Sequence, residues 1–283
     1  MEDQFRRKIN VLDKGFVRGV DYLGDDAAIV QAARCSYGKG TKSVSEDRGL
    51  IRYLMRHRHT SPLEMVEFKF HCKMPIHVAR QWVRHRMASL NEMSGRYSEM
   101  PNECYVPELD RLQLQSKDNK QGSSDEQVEE AVYIQGNMQE VQKKAFDVYQ
   151  EHLESGLARE VARNDLPLST YTEWYWKMDL HNLFHFLRLR LHSHAQYEIR
   201  QYANAIYELI KPIVPLACEA FEDYVLNAVT FSRQEMEAIL YFVKAAGDFE
   251  DYVNNNGSWF TKKGKPTREL QELRAKLNLS TKD

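Results

Sequence analysis

From Val66 to Met74 the chain reads Val-Glu-Phe-Lys-Phe-His-Cys-Lys-Met, nine residues in which apolar and polar positions alternate without a break. A period of two belongs to a strand, whose side chains project to opposite faces in turn. This segment is therefore predicted to bury Val66, Phe68, Phe70, Cys72 and Met74 and to leave its other face wetted or against a polar interface. Pro75 follows, and its fixed φ suits the start of a helix. That helix is predicted from Ile76 to about Met87, with His77, Arg80 and Arg84 near one face and Gln81 and His85 paired at i, i+4. Upstream, Phe16–Leu23 has strand character and ends at Gly24-Asp25-Asp26, where either aspartate can cap a helix over Ala27–Arg34. Gly38-Lys39-Gly40 predicts a turn. Ser45-Glu46-Asp47 predicts a helix start ahead of the Leu50, Leu54 and Met55 stripe.

The rest of the chain has mostly helical periodicity. A polar run, Ser116–Gln127, predicts an exposed loop, and helix is expected again from about Glu129 to Glu154, stopped by Gly156. A short helix over Ala158–Asn164 ends before Pro167. Asp179 can cap a further helix in which Leu180, Leu183, Phe184, Leu187 and Leu191 form one apolar stripe. Ile199, Ala203, Ile206 and Ile210 form another before Pro212. The last stretch, from about Glu222, reads as helices joined by turns at Asn254–Ser258 and Gly264–Pro266. The class is α+β, helix-rich, with a small sheet. The organisation is a main domain over 1–225, with a polar insertion near 113–128, and a helical extension over 226–283.

Composition narrows the function. Lys and Arg number 39 against 41 Asp and Glu, a balance that disfavours a general nucleic-acid or membrane-surface binder. No apolar run approaches membrane-spanning length, and the first residues lack the apolar stretch of a signal peptide. Cys35, Cys72, Cys104 and Cys218 stand far apart with no C-x-x-C pair, which disfavours a zinc knuckle or redox dithiol and fits a reducing cytoplasm.

The basic residues concentrate instead in Arg84-His85-Arg86-Met87-Ala88-Ser89-Leu90-Asn91-Glu92-Met93-Ser94-Gly95-Arg96. Arginine forks match phosphate oxygens two at a time, and Ser and Gly let backbone N–H groups approach an anion. The segment suits more than one phosphate, with the Glu92 carboxylate among them. A second group gathers Asp179, His181, His185, Arg188, Arg190, His192 and His194. His181 and His185 could share a metal, but a third ligand is not evident and no metal site is assigned. Arg188 and Arg190 must leave different faces of a helix, and an inward arginine needs an anionic or carbonyl-rich partner. No cysteine sits in an electropositive cluster that would favour a thiolate nucleophile. On these residues alone, a metal-dependent nucleotide phosphohydrolase and a non-catalytic nucleotide- or RNA-binding protein remain open beside a cofactor enzyme.

Arg84, His85, Arg86, Ser89, Ser94 and Arg96 complete the R-H-R-x-x-S-x-x-x-x-S-x-R signature, and in this the chain resembles the flavin-dependent thymidylate synthases. The likeness extends to Ala32–Tyr37, His59–Glu64, Arg159–Arg163 with Leu166-Pro167, and to Trp176, Asp179, Leu183, Phe186, Leu189, Arg190, His194, Ala195, Gln196 and Glu198. It spans roughly residues 10 to 225, without the polar loop and the C-terminal extension.

The resemblance implies an α+β fold around a small twisted, mainly antiparallel sheet, and a homotetramer with shared active sites. It implies reductive methylation of dUMP to dTMP with FAD as cofactor, NADPH as reductant and 5,10-methylenetetrahydrofolate as one-carbon donor. By position it implies flavin contacts from Ser61, Arg84, His85, Arg86, Glu92, Asp179, Leu180, His181 and His185. Nucleotide contacts would come from Gln81, Trp82, Val83, Arg84, Glu92, Met93, Ser94, Gly95, Arg96, Arg163 and Arg190, with Ser94–Arg96 as phosphate cradle. Arg190 would be the catalytic residue, set against the uracil ring. No nucleic-acid or membrane partner is expected.

Overall fold

The computed structural model describes residues 2–35, 44–117, 119–246, 249–255, 257–260 and 264–277. The predicted turn at Gly38–Gly40, and with it Ser36 and Tyr37, lies outside them. By internal packing the chain divides into Met1–Asn227 and Ala228–Asp283.

In the first unit the strands are β1 (Lys8–Val11), β2 (Gly15–Leu23), β3 (Glu67–Pro75), β4 (Ser89–Glu92), β5 (Gln113–Gln115), β6 (Ser123–Gln127) and β7 (Tyr171–Asp179). The helices are α1 (Glu2–Phe5), α2 (Asp26–Cys35), α3 (Val44–Arg56), α4 (Ile76–Trp82), α5 (Ala131–Glu154), α6 (Arg159–Ala162), α7 (Leu180–Arg190), α8 (Tyr197–Ile210) and α9 (Pro215–Phe221). Five strands form one antiparallel sheet in the order β1-β2-β3-β7-β4. β3 pairs with β7 in unbroken register from Glu67↔Asp179 to Pro75↔Tyr171.

The alternation of β3 is obeyed. Phe68, Phe70, Cys72 and Met74 are buried, as are Trp174, Trp176 and Met178 beside them on β7. α7 and α8 cover this face with Leu183, Phe186, Leu187, Ile199, Tyr202, Ala203 and Ile206. Each large apolar side chain among these contributes about 1.5–3 kcal/mol of burial. Trp82, at the end of α4, stacks on Phe186 and meets Trp174 and Trp176 edge-on. The opposite face pairs its charges: Lys177 with Glu67 at 2.8 Å, Lys73 with Glu103 at 2.6 Å, and His71 with Glu173 while stacked on Tyr175.

Three expectations are corrected. The helix from Ile76 stops at Trp82 rather than Met87, because the chain must reverse to lay β4 against β7, Ser89 opposite Lys177 and Glu92 opposite Trp174. The His85 N–H closes that reversal on the Trp82 carbonyl at 3.0 Å. The signature residues Arg84–Arg86 thus stand on a turn, where the proposed helical faces do not continue. The polar run near 120 is a hairpin of β5 and β6 rather than a loop. β1, β4 and β7 went unpredicted, although β7 repeats the period-two pattern of β3.

Asp25, rather than Asp26, caps α2, its Oδ1 accepting from Ala27 N at 2.9 Å and Ala28 N at 3.2 Å. Asp26 turns to the start of α9, accepting from Leu216 N at 2.7 Å and Ala217 N at 3.0 Å. α5 ends at Glu154, as expected, two residues before Gly156, whose φ of +81° glycine adopts with the least cost.

The second unit contains α10 (Arg233–Ala246), α11 (Phe249–Asn255) and α12 (Arg268–Lys276). α10 opens on a reciprocal cap, with Ser232 N donating to Glu235 Oε2 and Glu235 N donating to Ser232 Oγ. Val253 and Leu270 are fully buried in this unit. Among the described residues no helix is long and apolar enough to cross a membrane.

Candidate active site

The site grows from the join between β7 and α7. Asp179 ends the strand and caps the helix, its Oδ1 accepting from Asn182 N at 2.9 Å and its Oδ2 from Asn182 Nδ2 at 2.7 Å. Leu180 N donates to Val66 O at 2.8 Å, which ties the helix start to the strand edge. With Leu180, Leu183, Phe186 and Leu187 committed to the core, the remaining face of α7 carries Asn182, His185, Leu189 and Arg190. These four, with Met178 and the turn Arg84–Met87, line a pocket of about 390 Å³.

Inside it, Arg190 Nε donates to His85 Nε2 at 3.0 Å and Arg190 Nη2 donates to Gln81 O at 3.1 Å. His85 rests edge-on against Phe186, with ring centroids 4.9 Å apart. Burial, then the Arg190 charge, then His185 push the His85 pKa down to about 4. The ring is therefore neutral, accepts on Nε2 and carries its proton on Nδ1. His185 is also shifted down, by burial first and then by Arg188 and His181. Burial lowers the pKa of Arg190, which remains a cation. Arg84 and Arg86 are exposed, and among the described residues no carboxylate pairs with either. A basic rim that no described carboxylate pairs with, a neutral imidazole and the apolar lining of Met87, Met178 and Leu189 suit a flat ring bearing phosphates.

A second cluster starts at the last residue of β4. Glu92 Oε1 accepts from the buried Thr172 hydroxyl at 2.6 Å. Met93 N donates to Glu173 O at 2.9 Å, and the chain then turns, Ser94 O accepting from Tyr97 N and Ser98 N. Gly95 is buried, and a Cβ there would stand 2.7 Å from Met100 Sδ and 3.2 Å from Arg163 Cδ. Arg163, remote in sequence, is thereby brought against the Ser94–Arg96 turn. Arg96 itself pairs with Glu160 at 3.1 Å, both largely exposed. The four residues of β4 separate this cluster from the pocket by roughly 13 Å of extended chain.

Other implied residues fall differently. Trp82 and Leu180 are fully buried, so only their backbones can face a ligand. Ser61 is exposed just before the short helical turn Leu63–Met65, which packs against α7. His181 is half-buried in the first turn of α7. Among the described residues no three His, Cys, Asp or Glu side chains converge as metal ligands. Burial drives the Cys72 thiol well above its ordinary range and Cys218 to about 12, and no cysteine lines the pocket. The sequence reading missed Asn182, although its place three residues from Asp179 and before His185 marks it as a neighbour of both.

The family model for thymidylate synthase complementing protein matches residues 20–216. A flavin-dependent thymidylate synthase from Thermus thermophilus is 60% identical over 232 residues, 82% of this chain and 84% of that protein. One from Treponema denticola is 56% identical over 235 residues, covering 82% and 88%. One from Gluconobacter oxydans is 50% identical over 282 residues, covering 98% and 90%, so that alignment reaches into the C-terminal unit. Among solved structures, a UMP/dUMP methylase from Streptomyces cacaoi bound with 5-Br dUMP superposes with a TM-score of 0.70 at 35% identity, over 77% of this chain and 99% of that one. The signature, the antiparallel fold that carries it and these likenesses agree: the chain belongs to the flavin-dependent thymidylate synthase family.

Proposed function

We propose that the protein reductively methylates dUMP to dTMP, with FAD as redox cofactor, NADPH as reductant and 5,10-methylenetetrahydrofolate as one-carbon donor. The observation that carries this reading is the half-buried Arg190, held at 3.0 Å by a neutral His85 beside Arg84 and Arg86, which lack carboxylate partners among the described residues. FAD, when bound, supplies the redox chemistry; the chain binds, orients and polarises.

Arg84, Arg86, His85 and His185 hold the flavin in this proposal, aided by Ser61, Glu92, Asp179 and His181 and by the backbone at Leu180. Ser94, Gly95, Arg96 and Arg163 cradle the nucleotide phosphate. Gln81, Val83, Glu92 and Met93, with the Trp82 backbone, line the rest of that site, and Arg84 borders both ligands. Arg190 lies against the uracil ring, where a fixed positive charge stabilises negative charge developing on the base. No thiolate is required, in keeping with the raised thiols of Cys72 and Cys218. The separation of the two clusters along β4 supports a site completed between subunits of a homotetramer. The separated, unbridged cysteines support a cytoplasmic setting.

The test is a visible absorption spectrum of the purified protein with and without dUMP, followed by turnover with NADPH and labelled methylenetetrahydrofolate. A flavin band perturbed by dUMP, and label in dTMP, are expected. A protein that binds no flavin when offered FAD, or transfers no label, overturns the proposal. Size-exclusion chromatography with light scattering tests the tetramer.

A further inference from the structure

A chain of hydrogen bonds runs from the core edge to Gln81. Tyr105, buried, has its N–H on Ser169 O and donates through its hydroxyl to Glu198 Oε1 at 3.2 Å. Burial, then the Glu198 charge, raise the Tyr105 pKa, so it stays a phenol donor. Glu198, in the first turn of α8, accepts from Gln196 Nε2 on its other oxygen at 2.7 Å. Gln196 Oε1 in turn accepts from Gln81 Nε2. Gln81 is also the residue whose backbone carbonyl holds Arg190.

The order of these bonds has one solution. An ionised carboxylate only accepts, so Gln196 must turn its NH2 towards Glu198. Its oxygen then faces Gln81, which must answer with its own NH2. One atom is left over, Gln81 Oε1, and among the described residues nothing donates to it. Two amides, each able to flip at little cost by itself, are given a single polarity by a charge two side chains away.

Resting on the dUMP reading above, we infer that Glu198, acting through Gln196, is a positioning residue that fixes the Gln81 amide so that the nucleotide site offers an acceptor to a hydrogen-bond donor of the substrate. The donor is the base N–H or a sugar hydroxyl. A site built to accept from a donor disfavours an analogue that lacks it, because the acceptor then goes unpaired once the ligand has excluded water.

The test uses the FAD-loaded full chain and three ligands: dUMP, N3-methyl-dUMP, which lacks the base N–H, and 2′,3′-dideoxyuridine 5′-monophosphate, which lacks the sugar hydroxyl. Wild type should bind one analogue roughly tenfold more weakly than dUMP, about the value of one hydrogen bond. Which analogue suffers identifies the donor. In Glu198→Gln the amides regain both orientations, and that discrimination should shrink to roughly twofold. Gln196→Leu, a change at an exposed side chain, should do the same and serves if Glu198→Gln fails to fold. A merely structural role would weaken all three ligands alike. Discrimination unchanged in the folded, yellow variants, or a wild type that binds dUMP and rejects neither analogue, overturns the inference and leaves the proposed function standing. Failure of wild type to bind dUMP removes the proposed function itself.

Discussion

Arg190 Nε stands 3.0 Å from His85 Nε2, and the bond has only one polarity, guanidinium donating and imidazole accepting. Protonating His85 would set two donors face to face. The two residues lie far apart in the chain yet share one electrostatic state, so a change at either is felt by the other.

His85 is expected to titrate near 4 in the folded protein. The unfolded value is about 6.5, so between these limits the unfolded chain binds more protons. The stability contribution of neutral His85 is complete above about 6.5 and is lost as pH falls towards 4. In Arg190→Ala, loss of the neighbouring charge should raise the His85 pKa, bound FAD should persist, and turnover should fall by roughly a hundredfold or more. Histidine ¹⁵N spectra over a pH series check the first part, and the flavin absorbance and dTMP yield of the variant check the second. A wild-type His85 that titrates near 6.5 contradicts the geometry.

Arg96 must exchange Glu160 for a phosphate if the Ser94–Arg96 turn is the nucleotide cradle. The pair is exposed, and such pairs contribute at most about 1 kcal/mol. Glu160→Gln should therefore tighten dUMP binding by up to about fivefold, while Arg96→Ala weakens it by roughly tenfold or more. Calorimetric titration of both variants decides; unchanged affinity in Arg96→Ala removes the phosphate role.

How far the fold was legible follows from what each element leans on. β3 was read correctly because one face is wholly apolar and the other wholly polar. β7 carries the same rhythm in Trp174, Trp176 and Met178, but its large aromatic residues, among them the half-exposed Tyr175, blurred the alternation. β4 has no such signal: every residue from Ser89 to Glu92 is exposed, and the strand exists because β7 offers it hydrogen bonds. That pairing also moved Arg84–Arg86 from a helix to a turn. The signature residues were visible in the sequence, whereas the contact between Gly95 and Arg163, and the bond between His85 and Arg190, depend on how distant segments fold together.

Asp26 is buried at the start of α9, and burial raises its pKa to about 6 despite the two backbone N–H groups it accepts from. A raised folded value means that the native state binds the proton more tightly than the unfolded chain, whose aspartate titrates near 4. Between about 4 and 6, stability thus falls as pH rises, by up to roughly 2–3 kcal/mol in all. Urea midpoints of wild type and Asp26→Asn, which stays uncharged, should be compared at pH 4.5 and 7.5. Wild type should lose stability relative to the variant at the higher pH; a constant difference contradicts the assignment.

Gly95 tests whether the turn has to be tight for nucleotide binding. A Cβ at this position would meet Met100 Sδ at 2.7 Å and Arg163 Cδ at 3.2 Å. Met100 is a flexible chain that can give way, at an overpacking cost of about 1–3 kcal/mol. Arg163 must also give by a few tenths of an ångström, which shifts its side chain away from the Ser94–Arg96 turn. Gly95→Ala should therefore leave the protein folded and flavin-bound, lower its melting temperature modestly, and weaken dUMP by roughly tenfold through a displaced guanidinium. Adding Met100→Ala opens space on one side only. The double variant should recover part of the stability, while the dUMP affinity stays low because Arg163 remains displaced. Recovery of both together would mean that Met100 alone transmits the strain, and would take Arg163 out of the phosphate site.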